Sequence, residues 1–365
     1  RTLSGAVTTP RRWYFVCRHE HEAPLLDELT QLGALDAAVV VSGLCVADVS
    51  GCEGGLDPTW ALNVLPDGVV VPGDTLRALA AAVADQLAGP LDAADGPWAL
   101  VVVVPGVFRG NPTPPMARRA GLLQSELLAV LKKIRGRALR RRVDVSPTAG
   151  APLPPYDALA QLVLLEPGRV LVSWARVHRP PTGACWPNAY PAGHAPLPDD
   201  PAAPASSYRK LEEAFALLGR WPVAGERAMD LGASPGGWTR VLRRYGAHVV
   251  AVDRSPLAPA LMADVGVDFV AGDAFATDAP GELDWLVSDI VAFPERIVGL
   301  LGELRRFDAR FCVVQMKFRG DVDWAAIAAG HAAAHGQGYD VRCKHLFNDK
   351  NEVTFVARRR DQEVR

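Results

Sequence analysis

An α/β protein is expected from this sequence. A mostly parallel sheet should occupy the C-terminal half, with an antiparallel hairpin at one edge and small α+β units before it. Three observations carry the expectation. After residue 207, short apolar runs such as "RAMDL", "AHVVAVD", "LDWLVSDIV" and "FCVVQMKF" alternate with helical stretches, the pattern of strands covered on both faces by crossover helices. The first run empties into a glycine-rich turn, "DLGASPGGWT", beginning at Asp230. Near the end, "YDVRCKHLF" and "EVTFVARR" flank "NDKN", which reads as two antiparallel strands joined by a turn.

Taken in order, residues 1–10 are expected to form a disordered tail. "RRWYFVCR" reads as a strand, "EAPLLDELTQLG" as a helix with apolar residues three and four apart, and "AAVVVSGLCVADV" as one or two strands. These make an α+β unit over 11–70. A second unit, over 71–180, begins with the helix "TLRALAAAVADQL" and the strand "WALVVVV". A long helix from about Met116 to Arg135 follows, then strands near Ala158–Leu165 and Val170–Trp174. Proline, alanine and glycine dominate "GACWPNAYPAGHAPLPDDPAAPASS". Proline removes donors and fixes φ, so 181–206 is expected to be an extended linker. The helix "YRKLEEAFALLG" opens the C-terminal domain, 207–360, and "GWTRVLRRYG" is a helix stopped by glycine.

The 365 residues are 49% hydrophobic and 22% charged, ordinary for a globular chain of more than one domain. A formal net charge of −2 excludes a uniformly basic nucleic-acid binder, so any polyanion must meet a local patch. Six scattered cysteines (Cys17, Cys45, Cys52, Cys185, Cys312 and Cys343) contain no C-x-x-C pair and read as reduced thiols. No apolar run is long enough to span a bilayer and no signal-peptide pattern opens the sequence, so a cytoplasmic protein without a membrane partner is expected.

A strand, a glycine turn and a helix N-terminus suit an adenosyl or phosphate ligand. The turn has no P-loop lysine. It also departs from G-x-G-x-x-G, because Ser234 stands at the second glycine position, which argues against a dinucleotide. Asp253 ends the next strand, where a ribose hydroxyl would need an acceptor, and Asp273 of "GDAF" ends the one after. A plain tight turn with solvated loop acids remains the competing reading of these residues.

Together, "DLGASPGGWT", "VDRSPL", "GDAF" and "SDIV" resemble the S-adenosylmethionine site of the FtsJ-like ribose 2′-O-methyltransferases. "KLEEAF" and "NDKNEVTFVARR" also resemble that family, in particular its bacterial members that methylate a cytidine of 23S ribosomal RNA and carry an N-terminal THUMP region. The likeness runs from about Ser207 to Arg358 and is only architectural over 11–180. It implies a Rossmann-like methyltransferase domain behind a THUMP-like RNA-binding unit at 71–180. It also implies S-adenosylmethionine held by Gly232, Ala233, Ser234, Pro235, Gly236, Gly237, Trp238, Asp253, Asp273 and Asp289, with RNA as partner. The family's Lys-Asp-Lys-Glu tetrad falls on Lys210, Asp289, Lys317 and Glu352.

A ribose 2′-hydroxyl needs a base to take its proton while the methyl group is attacked. Lysine is protonated at its ordinary pKa of about 10.4, and a second cation or desolvation lowers that value. Lys317 is the expected base, with Asp289 orienting it and Lys210 and Glu352 positioning the ribose. The sulfonium is already an activated leaving group, so no metal is expected. Taken singly, Lys210 also reads as a solvated helix residue and Glu352 as an exposed edge residue.

Lys132, Lys133, Arg135, Arg137, Arg140, Arg141 and Arg142 form the densest basic run, either a solvated helix end or an RNA-phosphate contact. His331 and His335 stand four apart but lack the H-E-x-x-H glutamate, so they read as a helix surface. Two alternatives to an RNA methyltransferase stay open: a methyltransferase for a non-RNA acceptor, and a non-catalytic RNA-binding or ribosome-assembly factor.

Overall fold

The computed structural model describes residues 10–52, 56–105, 114–145, 149–150, 156–177 and 190–360. Most of the expected tail, the linker up to residue 189, and Cys185 lie outside the described residues. The chain divides into two compact units, Arg1–Thr148 with Leu153–Ala195, and Ala149–Pro152 with Pro196–Arg365.

The first unit holds two sheets. In the first sheet, β1 (Arg12–Val16) precedes α1 (Glu22–Gln31), β2 (Leu35–Val41), β3 (Leu44–Asp48) and β4 (Asn63–Leu65), and the order is β2-β3-β1-β4, antiparallel throughout. The second sheet starts at β5 (Val69–Pro72), followed by α2 (Leu76–Gln86), α3 (Ala88–Ala93), β6 (Trp98–Val103), α4 (Pro114–Ile134), α5 (Gly136–Leu139), β7 (Arg142–Val143), β8 (Ala158–Glu166) and β9 (Arg169–Arg176). Its order is β5-β9-β8-β6-β7. Leu123, Leu127 and Leu131 recur every fourth residue on α4 and are fully buried among Leu79, Val83 and Leu162, the apolar stripe a helix needs to seat on a sheet.

Within the segment expected to be an extended linker, Tyr190 and Ala192 are held by side-chain amides. Asn63 Nδ2 donates to the Tyr190 carbonyl at 2.9 Å, and Gln161 Oε1 accepts from the Ala192 N–H at 3.0 Å. These side-chain amides satisfy backbone groups that composition alone consigns to solvent.

The second unit follows the expected alternation. It runs α6 (Tyr208–Leu218), β10 (Arg227–Leu231), α7 (Gly237–Arg244), β11 (His248–Asp253), α8 (Pro259–Met262), β12 (Val267–Ala271), β13 (Leu283–Ser288), α9 (Pro294–Leu301), β14 (Ala309–Lys317), α10 (Trp324–Gly336), β15 (Tyr339–Lys344) and β16 (Glu352–Arg359). The sheet order is β12-β11-β10-β13-β14-β16-β15, with the first five strands parallel. The hairpin β15–β16 is antiparallel and enters with β16 against β14, leaving β15 at the edge. Trp285 of β13 stacks on Phe311 of β14 and takes the Phe215 ring of α6 edge-on at 4.9 Å, so aromatic packing fixes α6 against the sheet. Among the described residues no helix is long and apolar enough to cross a membrane.

After β10 the chain fills β11 and β12 on one side, then crosses to β13 on the other. At this reversal the carboxyl ends of β10 and β13 open a crevice. Just below it lies Asp230 of β10, 1% exposed, whose Oδ2 accepts from Thr239 Oγ1 of α7 at 2.6 Å. Its Oδ1 has no hydrogen-bond partner among the described residues. Burial, with Asp289 and Asp253 nearby, pushes the carboxyl up to about 7. The unfolded chain ionises this acid near 3.8 while the fold keeps it protonated to about 7, so unfolding releases a proton between those values. Stability is therefore expected to fall as pH rises through this window, by at most about 1.4 kcal/mol per pH unit from this group, and to level off above it. Denaturant unfolding across pH should show that Asp230→Asn removes this share of the decline. Parallel wild-type and variant curves would contradict the assignment.

Candidate active site

Four charged side chains meet at the carboxyl edge of the sheet, and the register of β14 against β16 decides which. Lys317 pairs opposite Glu352 and Gln315 opposite Thr354. Residues directly opposite, and those two apart on one strand, share a face. Lys317 does not bond its cross-strand neighbour. Its Nζ donates to the Asp289 carbonyl at 2.7 Å and lies 2.7 Å from Asp289 Oδ1, the latter at an angle outside the hydrogen-bonding range. Glu352 instead binds Lys210 of α6 in a tight ion pair and accepts from the Lys350 N–H at 3.1 Å. The result is two adjacent lysine–carboxylate pairs. The side chains of Lys210 and Glu352 are 12% and 8% exposed, those of Lys317 and Asp289 21% and 18%, so the Lys317 pair is the more accessible.

A buried network, absent from the sequence reading, stands behind the Lys210 pair. Gln315 Oε1 accepts from Lys210 Nζ at 3.2 Å, and its amide donates to Asp349 Oδ1 at 2.8 Å and Thr354 Oγ1 at 3.1 Å. Asp349 also accepts from Thr354 Oγ1 and the Leu346 N–H, and burial raises its carboxyl well above the usual range. Glu213, one turn along α6 from Lys210, accepts from the backbone N–H groups of Phe347 and Asn348. It thereby ties α6 to the β15–β16 turn. Gln315, Asp349 and Thr354 have no assigned role in the sequence reading and are brought together by strand pairing and the turn before β16.

The glycine turn sits at the crevice. Gly232 and Ala233 both donate to the Val252 carbonyl, at 2.9 and 3.1 Å, and Ser234 N–H donates to Asp253 Oδ2 at 3.0 Å. Asp253 Oδ1 accepts from the Ser255 N–H at 2.8 Å. Gly232 and Gly236 have φ of +77° and +110°, a region glycine enters without penalty. A Cβ on Gly232 would lie 2.9 Å from Ile290 Cγ1, one on Gly236 2.2 Å from Leu261 Cδ1, and one on Gly237 2.9 Å from Ser207 Oγ. Side chains are therefore cleared here by the protein's own packing as well as by backbone conformation.

Other expected site residues lie apart from the four charges. Trp238 is buried, and its indole N–H donates to the Ser207 carbonyl at 2.9 Å, fastening α7 to the start of α6. Asp273 follows the edge strand β12 and pairs with Arg254 at 2.6 Å. The Phe275 N–H and then Arg254 hold its carboxyl below the usual range. Pro235 accepts through its carbonyl from the Ala258 N–H at 2.9 Å. In the first unit, Arg135 pairs with Asp92 at 2.9 Å, Arg142 pairs with Asp144 at 2.5 Å, and Arg141 donates to the Ala94 carbonyl. Lys132, Lys133, Arg137 and Arg140 are the exposed members of that run. His331 Nε2 donates to the Val341 carbonyl at 3.1 Å, and among the described residues no group of three or more His, Cys, Asp or Glu is placed to hold a metal.

Residues 205–318 match the model of the FtsJ-like methyltransferases. The ribosomal RNA large subunit methyltransferase M of Halorhodospira halophila is 38% identical over 178 residues, 48% of this chain and 51% of that protein. Its counterpart in Alkalilimnicola ehrlichii is 34% identical over 233 residues, 60% of each chain. The chain thus spans between half and three fifths of these curated relatives. The TrmN structure from Thermus thermophilus aligns over 95% of this chain and 99% of its own, at 15% identity and a TM-score of 0.37, too distant to argue from. Residues 205–318, which include the glycine turn, Lys210, Asp289 and Lys317, are an FtsJ-like methyltransferase domain.

Proposed function

We propose that this protein transfers a methyl group from S-adenosylmethionine to a ribose 2′-hydroxyl of RNA, with 23S ribosomal RNA as the acceptor and the cytoplasm as its location. The observation that carries the reading is the pair of lysine–carboxylate contacts at the carboxyl edge of the sheet, inside or beside a domain of methyltransferase type. Support for the acceptor comes from relatives named for the large ribosomal subunit RNA. The residues present fit the cofactor. Asp253 stands at the end of β11 to accept ribose hydroxyls, and the partnerless Oδ1 of buried Asp230 calls for a donor, best a cationic one. When bound, S-adenosylmethionine supplies a methyl group on an already activated sulfonium.

The chain's own part is to orient the acceptor and move one proton. Two oxygens of Asp289 lie 2.7 Å from Lys317 Nζ. The carbonyl accepts one Nζ hydrogen and the carboxylate lies beside the nitrogen, so in its neutral form Lys317 offers its lone pair to the 2′-hydroxyl. Lys317 Nζ would accept the hydroxyl proton as the methyl carbon exchanges its bond to sulfur for one to the 2′-oxygen, the donor leaving as a neutral thioether, and Asp289 would stabilise the resulting ammonium. Lys210, held by Glu352 and Gln315, orients the ribose. In this proposal the first unit, including its THUMP-like part, contributes RNA binding through Lys132, Lys133, Arg137 and Arg140.

Single-turnover methylation of RNA tests the assignment. Lys317→Ala should lower the rate about 10²–10⁴-fold with donor affinity retained. Lys317→Arg should fail nearly as badly, because a guanidinium stays protonated. Arg at close to the wild-type rate would remove Lys317 as the base. For the basic run, replacing Lys132, Lys133, Arg137 and Arg140 with Gln should flatten the salt dependence of RNA binding by about one unit per lost phosphate contact. Arg142→Gln, which loses only the Asp144 pair, should leave the slope unchanged. An unaltered slope in the fourfold variant would assign these cations to the solvated surface.

A further inference from the structure

The loop after β13, which begins at Asp289, exposes two large apolar side chains. Val291 is 75% exposed and Phe293 55%, two and four residues past Asp289. The guanidinium of Arg319, two residues past Lys317, lies 4.5 Å from the centroid of the Phe293 ring. Both halves of this contact are anchored. Phe293 is the N-cap of α9, its carbonyl accepting from the Arg296 N–H at 3.0 Å. The backbone around Arg319 is held by Asn351, whose Nδ2 donates to the carbonyls of Phe318 at 3.1 Å and Gly320 at 2.8 Å. Among the described residues no carboxylate pairs with Arg319.

We propose that the Phe293 ring and the Arg319 guanidinium form a stacking platform for an unpaired base of the acceptor RNA. This rests on the RNA reading given above. An exposed ring leaves apolar area in water that a flat partner would bury, and an aromatic backed by arginine is how proteins receive unstacked bases. The site asks for apolar faces and negative charge together: Val291 and Phe293 offer the first a surface, and Arg319 offers the second a cation without an internal carboxylate. A nucleobase flanked by phosphates has both. Phe293 is four residues past Asp289 and Arg319 two past Lys317, so short segments join the platform to the residues of the proposed chemistry.

The test uses the full chain, radiolabelled S-adenosylmethionine and protein-free ribosomal RNA from cells lacking this protein. Phe293→Ala should raise the RNA concentration for half-maximal single-turnover rate about tenfold, and Phe293→Tyr, which keeps a ring, should restore it. Arg319→Gln should reduce the salt slope of RNA binding by about one. Affinity for S-adenosylmethionine, measured by calorimetry, should be the same in all three variants, which a merely structural role for Phe293 would not give. If Phe293→Ala matches wild type on an RNA that wild type methylates, the platform is wrong and the RNA reading stands. If wild type neither binds nor methylates RNA, both fall.

Discussion

The site depends on one register: β14 lies antiparallel to β16 with Lys317 opposite Glu352. A slip of one residue would turn both side chains to the other face of the sheet. In this register the two residues are close enough to form a pair, yet each is claimed by a different element. Asp289, at the end of β13, takes Lys317, and Lys210, from α6, takes Glu352. The crossing of partners ties three strands and a helix to a single charged cluster. Removing two ion pairs from water is costly and contributes little net stability.

Holding α6 in place is the second requirement, because Lys210 has no other route to the sheet. Phe215 against Trp285 supplies the apolar contact. Glu213 on the backbone at 347–348 supplies the polar one, and Gln315 fixes the lysine head. Trp238 adds a link from α7 to the residue before the helix. These contacts are short and mutually supporting, so the lysine can be held in one geometry without contributing to the core itself. The glycine turn follows the same economy. Its first N–H groups bind β11 and its missing side chains make room for Ile290, Leu261 and Ser207.

The parallel sheet was legible because apolar strands of five to nine residues punctuated by helices have few other folds. The glycine turn and the hairpin were legible for the same local reason. Tertiary partners were not. Asp230 opens the glycine motif, yet only its burial and its partnerless oxygen distinguish it from any strand-end acid. Gln315, Asp349 and Thr354 lie up to 39 residues apart and meet only once the register is set. Arg135, Arg141 and Arg142 read as free cations until Asp92, the Ala94 carbonyl and Asp144 are placed beside them. Composition likewise could not foresee that Tyr190 and Ala192 are bound by Asn63 and Gln161.

The position at which a methyl group arrives on the acceptor distinguishes ribose from base methylation, and one chemical property reports it. A ribose methylated at its 2′-oxygen cannot form the cyclic phosphate through which alkali cleaves RNA. Protein, radiolabelled S-adenosylmethionine and ribosomal RNA from cells lacking this protein should therefore yield label in an alkali-resistant dinucleotide. Label released as a mononucleotide carrying a methylated base, or found only on protein or small molecules, would rule out ribose 2′-O-methylation.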